Sequence, residues 1–150
     1  MATPTRSRIT GLGRVLVAVY GVLALAATGR SLVQIVERFD SAPLAFVLSG
    51  VSALVYILAT LALVFSASRV WYVVAWAAIV FELAGVLIVG SYSLFRHDLF
   101  PEETVWSWFG SGYVFVPLFL PFVGLWWLAT HRPGRPAPVP AAVAVERSVW

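Results

Sequence analysis

Four long apolar runs, each close to the length needed to cross a bilayer, dominate this sequence. They cover residues 15–36, 44–65, 70–94 and 112–130, and short polar stretches separate them. A hydrocarbon core of about 30 Å takes about 20 mostly apolar residues in helical form. A helix is the favoured spanning form because it satisfies its own backbone hydrogen bonds in lipid. The sequence therefore predicts an all-α, membrane-embedded four-helix bundle over residues 1–130.

Composition supports lipid, and not water, as the surrounding medium. Apolar residues make up 61% of the chain and charged residues 11%, against about 45–50% and 25% in soluble proteins. A water-soluble domain of this size needs more polar surface to cover its core. The absence of cysteine excludes disulfides and thiolate metal sites. We expect no cofactor, no metal and no nucleic-acid partner.

The distribution of arginine predicts the orientation. Basic residues concentrate in cytoplasmic segments near span ends, so the side richer in arginine is assigned to the cytoplasm. This places both termini inside a multi-pass protein of the cytoplasmic membrane. The inner side holds Arg6, Arg8, Arg14, Arg69, Arg132, Arg135, Arg147 and Glu146, and the outer side holds Arg38, Arg96, Glu37, Asp40, Asp98, Glu102 and Glu103.

Both ends of the chain leave an alternative open. Basic residues precede the first run, and Ala24, Leu25 and Ala26 resemble a signal-peptidase site, so a cleaved leader would leave three spans. At the other end, residues 131–150 are rich in proline and predict a disordered cytoplasmic tail. A docking peptide for an SH3-like partner is the alternative for this tail.

Arg30 and Glu82 are the ionisable residues inside the predicted spans. Such residues are costly in lipid and usually face a bundle interior or pair with each other. At 1.5 Å per residue the two lie at similar depth, so we expect an intramembrane charge pair that joins spans one and three. A proton or ion relay is the functional alternative.

Small residues at helical spacing predict the faces through which the helices pack. Close approach of helix backbones in lipid favours Gly, Ala and Ser at the contact. Spans one and three are therefore expected to pack directly. The predicted packing faces are Ala75, Ala78 and Gly85 in span three, and Ala45, Ser49 and Ala53 in span two.

The stretch between spans three and four predicts a short helix on the outer membrane surface. Pro101, Glu102 and Glu103 suit a helix start, and aromatic residues follow that favour headgroup depth. His97 and the nearby acids lack the spacing of a metal motif. The expected interfacial anchors are Trp106, Trp108, Phe109 and Tyr113.

Pro117 and Pro121 lie in the predicted fourth span. Each proline removes a backbone donor, so we expect a kinked helix. Freed carbonyls that line an ion path, as in transporters, are the alternative.

Several segments resemble a group of small uncharacterised four-span membrane proteins of actinobacteria. The similar pieces are residues 39–45, 81–87, 99–106 and 112–118, within a stretch from residue 30 to residue 127. The resemblance implies a membrane location and a lineage, but no activity.

No catalytic set is visible, so the sequence favours a non-enzymatic protein. We expect an accessory or assembly subunit, with the lipid bilayer and a membrane protein or a second copy of this chain as partners. The alternative is a small transporter or channel that uses Glu82, with Arg30 as its counter-charge and the two prolines as a gate. A lipid-modifying enzyme that works from the outer loop is a more distant third.

Overall fold

The computed structural model describes residues 11–96, 98 and 102–134. Throughout these residues the chain is all-α, with no strand. Short 3₁₀ segments cover Phe39–Ser41 and Ser107–Tyr113. The α-helices are α1 (Leu12–Arg38), α2 (Pro43–Val64), α3 (Arg69–Phe95) and α4 (Val116–Thr130).

The first three helices cover the predicted apolar runs and extend slightly past most of their ends. The fourth differs, because α4 begins at Val116 and not at residue 112. Val114 and Phe115 adopt left-handed backbone angles, with φ of 54° and 58°, so a right-handed helix cannot include them. Pro117 then lies in the first turn, where its missing N–H costs no helical hydrogen bond.

Helix packing follows the order of the chain. α1 packs mainly on α2, α2 on α3, and α3 on α4, with a smaller contact between α1 and α4. Short connections favour antiparallel neighbours of this kind. The prediction that spans one and three pack directly is therefore wrong: α1 and α3 lie diagonally opposite and meet through side chains.

The antiparallel order gives the molecule two ends. The "turn end" holds the α2–α3 turn, the start of α1 and the end of α4. Here the Tyr72 hydroxyl donates to the Leu128 carbonyl at 2.8 Å, and His131 stacks on Trp127. The "loop end" holds the α1–α2 connection and the α3–α4 loop, residues 96–115. The predicted tail is described only as far as Gly134, and its remaining residues lie outside the described part.

Large apolar side chains project outward along the three long helices. Examples are Leu25 on α1, Leu54 on α2 and Val70 on α3. These three helices are long and apolar enough to span a membrane. A fourth span requires counting Ser107–Tyr113 together with α4, across a bend of 95°.

Candidate functional site

A carboxyl group lies at the middle of the structure. Glu82 is the central residue of the 27-residue helix α3, and it is 0% exposed. Glu82 points into the core because it lies on the same face of α3 as the buried residues Ala75, Ala78 and Ile79. An acidic side chain in this position has to be satisfied by polar groups from the neighbouring elements.

Two tyrosines provide those groups. The Tyr20 hydroxyl of α1 donates to Glu82 Oε2 at 2.7 Å. The Tyr56 hydroxyl of α2 also interacts with the carboxyl, but no hydrogen bond reaches Glu82 Oε1. Both tyrosines are completely buried. The carboxyl therefore joins the diagonal pair α1 and α3 through Tyr20 and keeps one oxygen unbonded.

Trp106 of the α3–α4 loop covers this cluster from the loop end. Its indole Nε1 donates to the Tyr56 hydroxyl at 3.1 Å, and the residue is 2% exposed. The prediction that Trp106 anchors at headgroup depth is therefore wrong. The indole has found a buried hydrogen-bond acceptor in Tyr56, as buried tryptophans usually do.

Glycines form the socket that receives the loop. A Cβ atom at Gly85 would lie 2.7 Å from the Trp106 ring, and one at Gly90 would lie 2.6 Å from the Phe109 ring. Both glycines are on α3, on the loop side of Glu82. Distances this short exclude any larger residue unless the loop moves. The predicted packing residue Gly85 therefore contacts an aromatic ring of the loop and not helix α1.

Hydrogen bonds within the loop hold Trp106 in position. Thr104 Oγ1 accepts from the backbone N–H groups of Trp106 and Ser107, at 3.2 and 3.1 Å. In return, Ser107 Oγ accepts from the Thr104 N–H at 2.9 Å. This reciprocal pattern satisfies buried donors locally, and it replaces the surface helix that the sequence predicted here.

The backbone after Trp106 is strained. Trp108 and Phe109 have φ of 53° and 57°, a left-handed conformation that costs about 1–2 kcal/mol for a residue with a side chain. Val114 and Phe115 add two more such residues. The Phe109 ring lies in the socket at Gly90, so packing holds the segment in a conformation that it would not adopt alone.

Polarity is distributed unevenly on the two sides of Glu82. Toward the turn end the buried core is apolar until Ser66, next to the α2–α3 turn. Toward the loop end, Ser49 and Ser52 share the buried face of α2 with Tyr56. The buried polar residues on the loop side are Ser31, Ser49, Ser52, Ser93, Thr104 and Ser107.

Arg30 does not pair with Glu82. Its Nη2 donates to the backbone carbonyl of Glu103 in the α3–α4 loop at 2.7 Å. A long arginine side chain can extend along its helix toward a polar end, whereas Glu82 is too short to leave the core. The predicted intramembrane pair is therefore wrong, and the two residues bind different parts of the protein.

The other predicted packing residues are buried. Ala75 and Ala78 lie within the main core, with Ala53 of α2. Ala45 contributes to a small separate cluster with Phe46, and Ser49 is fully buried with an unbonded hydroxyl.

Both prolines of the predicted kink are buried in α4. Pro121 lies inside the helix, whereas Pro117 lies in its first turn. Pro117 also packs on Gly110, where a Cβ atom would lie 2.8 Å from its ring. The 95° bend occurs just before Pro117, between Ser107–Tyr113 and α4.

The remaining predicted loop residues do not converge on a site. Arg96 donates to both carboxylate oxygens of Asp98, at 3.1 and 3.0 Å. These bonds hold the pKa of Asp98 below its usual range. His97 lies outside the described residues. The predicted anchors Trp108, Phe109 and Tyr113 are half-buried against the protein.

Sequence reasoning missed Tyr20 and Tyr56 as partners of Glu82. A signal was present, because both are hydroxyl-bearing residues inside apolar runs. They also lie the same number of residues from the turn-end terminus of their helices, at Leu12 and Val64. Because the two hydroxyls lie at the same depth, they could both have been expected to reach one acceptor on a neighbouring helix.

A groove between α2 and α3 is the second notable feature. Its volume is about 330 Å³, and every side chain that lines it is apolar. Part of its lining adjoins Glu82 along α3, but the carboxyl itself points into the core. The lining residues are Val51, Leu54, Val55, Leu58, Ala77, Ala78 and Phe81.

Comparison with known proteins adds no relative. No family model matches this chain, and no similar protein was found among curated sequences or solved structures. The function has to be argued from the geometry of the chain.

Proposed function

We propose that this protein is a multi-pass protein of the cytoplasmic membrane, with both termini in the cytoplasm, and that it acts through contacts with other membrane proteins. The outward apolar side chains of the three long helices support the membrane location, because water would strongly disfavour such a surface. In this arrangement the turn end faces the cytoplasm and the loop end faces outward.

The fourth span of this bundle combines α4 with the segment before it. α4 alone has 15 residues, or roughly 22 Å at 1.5 Å per residue. Ser107–Tyr113 precedes it across the bend and is packed on α3 through Phe109 and Gly90. Irregular backbone at membrane depth is tolerated where protein buries it.

The apolar groove is the observation that supports action through contacts. A membrane helix binds another through close packing of small and apolar side chains, and Ala77 and Ala78 give this groove a shallow floor between larger side chains. A membrane-spanning helix of a partner protein, or of a second copy of this chain, fits such a surface. No catalytic chemistry is needed for this role.

Site-specific photo-crosslinking in native membranes tests the proposal. A photoreactive residue at Leu54, which lines the groove and is 68% exposed, is expected to give one discrete crosslinked product. The matched control is Val22 on α1, which is 65% exposed and outside the groove. Crosslinking to lipid alone at both positions would contradict the proposal. The mass of the product distinguishes a partner from a second copy.

The orientation has a separate test. A reporter fused behind Trp150 is expected to be active only in the cytoplasm, because the inner side carries most of the arginine. Activity outside the cell would overturn the assignment of the two ends.

Transport is the second candidate, and the buried Glu82 carboxyl with an unbonded oxygen favours it. Intramembrane carboxyls are common in proton and ion paths. Arg30 cannot serve as its counter-charge in this structure, since it is bound to Glu103. Proton or small-ion flux in liposomes that Glu82→Gln abolishes would support transport over the contact role.

A further inference from the structure

The Glu82 carboxyl is enclosed differently on its two sides. On the turn side, the core next to Gly124 and Ile79 is apolar and tightly packed. On the loop side, hydroxyl groups of Ser49 and Ser52 continue the buried face of α2 outward from Tyr56. Toward the turn end, the part-buried Thr60 hydroxyl is bonded to the Tyr56 carbonyl, and the next fully buried hydroxyl is Ser66. Hydroxyl groups both donate and accept hydrogen bonds, so most of the fully buried groups that could pass a proton lie on the loop side.

Trp106 closes this polar side. Its indole lies against the α3 backbone at Gly85 and bonds to the Tyr56 hydroxyl, so it sits between α2 and α3 beside the carboxyl. The strained residues Trp108 and Phe109 follow after Ser107. Strain of this kind persists only where surrounding contacts hold it, and it often marks segments that switch.

We propose that the Glu82 carboxyl is a one-sided proton-binding site, which exchanges its proton with the outer aqueous phase when Trp106 leaves its socket. A hydronium ion gives its proton to the carboxylate and leaves as water, and the reverse step returns the proton to the same side. No proton crosses the protein.

The groups that face Glu82 determine what else could titrate there. Tyr20 approaches from α1 and Tyr56 from α2, and Tyr113 of the loop interacts with Tyr56. From α4, Gly124 lies next to the Tyr20 hydroxyl, 3.5 Å from an added Cβ atom, and it carries no ionisable group. Among the described residues no cation faces the carboxyl. The other ionisable groups there are tyrosines, which are much weaker acids than a carboxyl, so Glu82 is the group that would exchange a proton when the loop moves.

We call the movement of Trp106 out of its socket the gate. Cysteine accessibility can test it, because the native chain has no cysteine and an introduced thiol is therefore the only one. A Glu82→Cys variant in vesicles is treated with a charged, membrane-impermeant thiol reagent from either side. The thiol is expected to be unreactive in this background. With Trp106→Ala added, outside modification should accelerate about tenfold or more, because the rate follows the population of the open state. Equal rates with and without Trp106, or access from inside, would overturn the proposal.

Two controls separate the gate from other causes. Trp126→Ala, on the exposed face of α4, should leave the Glu82→Cys rate unchanged; an equal acceleration would show general loosening and contradict the gate. Ser68→Cys in the exposed α2–α3 turn should react only from inside. Reaction of Ser68→Cys from outside would overturn the orientation, whereas loss of the Trp106 effect would overturn the gate alone.

A second measurement keeps Glu82 intact and serves if Trp106→Ala fails to fold. The infrared C=O band that Glu82→Gln removes reports the protonated carboxyl. Its hydrogen–deuterium exchange in Trp106→Phe, which keeps an aromatic ring but loses the indole N–H that bonds to Tyr56, should be about tenfold faster than in the native protein. An unchanged exchange rate would overturn the proposal.

Discussion

Arg30 and Glu82 show two different ways of placing an ionisable group in an apolar helix. Arg30 extends to the loop end and bonds to the Glu103 carbonyl. Glu82 stays at the centre of α3 and receives the Tyr20 hydroxyl. Arg30 lies 18 residues from the turn-end start of α1, and Glu82 lies 13 residues from that of α3, so Arg30 is nearer the loop end and also has the longer side chain. The comparison teaches that the reach of the side chain, and not only depth or opposite charge, determines the partner of an ionisable residue in an apolar helix.

Removing the internal partner of Glu82 should have the largest effect. Tyr20→Ala leaves both a cavity and an unbonded carboxyl. We expect a loss of about 3 kcal/mol in the free energy of unfolding. This is the low end of the cost of replacing a large buried aromatic residue by alanine, because lipid also solvates apolar surface. Unfolding of the protein in mixed micelles measures it. Tyr92→Ala, a tyrosine 55% exposed, is the matched control and should cost far less; equal losses would contradict an internal role for Tyr20.

Filling the socket beside Glu82 should have the next largest effect. A Gly85→Ala methyl would lie 2.7 Å from the Trp106 ring, and overpacking of this kind costs about 1–3 kcal/mol. The same unfolding measurement and the fluorescence of the displaced indole report the change. At Gly50 the nearest atom, Ile35 Cδ1, is 4.0 Å from an added Cβ, so Gly50→Ala should be neutral or stabilising. Similar behaviour of the two variants would show that the socket is not tight.

A double-mutant cycle tests the comparison directly. Arg30→Gln and Glu82→Gln remove groups with separate partners, so their effects on stability should add to within about 0.5 kcal/mol. A larger coupling energy would show that the two side chains interact, and would contradict the conclusion that they have separate partners.

The pair Arg96–Asp98 offers a third environment, in which both side chains are more than half exposed, and we expect the smallest effect there. Arg96→Gln removes the hydrogen bonds that lower the pKa of Asp98, so this pKa should rise toward the ordinary value. A lowered pKa contributes stability above the unfolded pKa of about 3.9, and the contribution is lost as pH falls through the folded pKa. NMR titration of the Asp98 carboxyl carbon measures the shift. An unchanged pKa would mean that the pair is not formed in solution.

The apolar runs predicted the three long helices well, because runs of about 20 apolar residues have few alternatives. The α3–α4 loop could not be predicted in the same way. Its aromatic residues fit a membrane surface as well as a protein interior, and only the tertiary fold brings Gly85 and Gly90 opposite them. Residue types and spacing alone do not reveal that choice.

The partner of Glu82 was mispredicted for a related reason. Opposite charge and similar depth pointed to Arg30, but α1 and α3 are diagonal neighbours that meet mainly through side chains. The Tyr20 hydroxyl fits that gap and reaches Oε2 at 2.7 Å. An acid in the middle of a long apolar run is expected to be buried, as Glu82 is, whereas its partner depends on which helices become adjacent.

The shortness of α4 has a consequence for the surrounding lipid. Its 15 residues cover roughly 22 Å, less than the hydrocarbon thickness of about 30 Å. Because Ser107–Tyr113 lies at 95° to α4, it adds little height to the proposed fourth span. In the proposed membrane setting, the bilayer on that flank would thin, or a neighbouring molecule would cover the difference, at a modest cost per ångström of mismatch. The protein would then favour thinner patches of membrane and orient this flank toward them, which gives a four-helix protein a preferred direction within the plane of the bilayer.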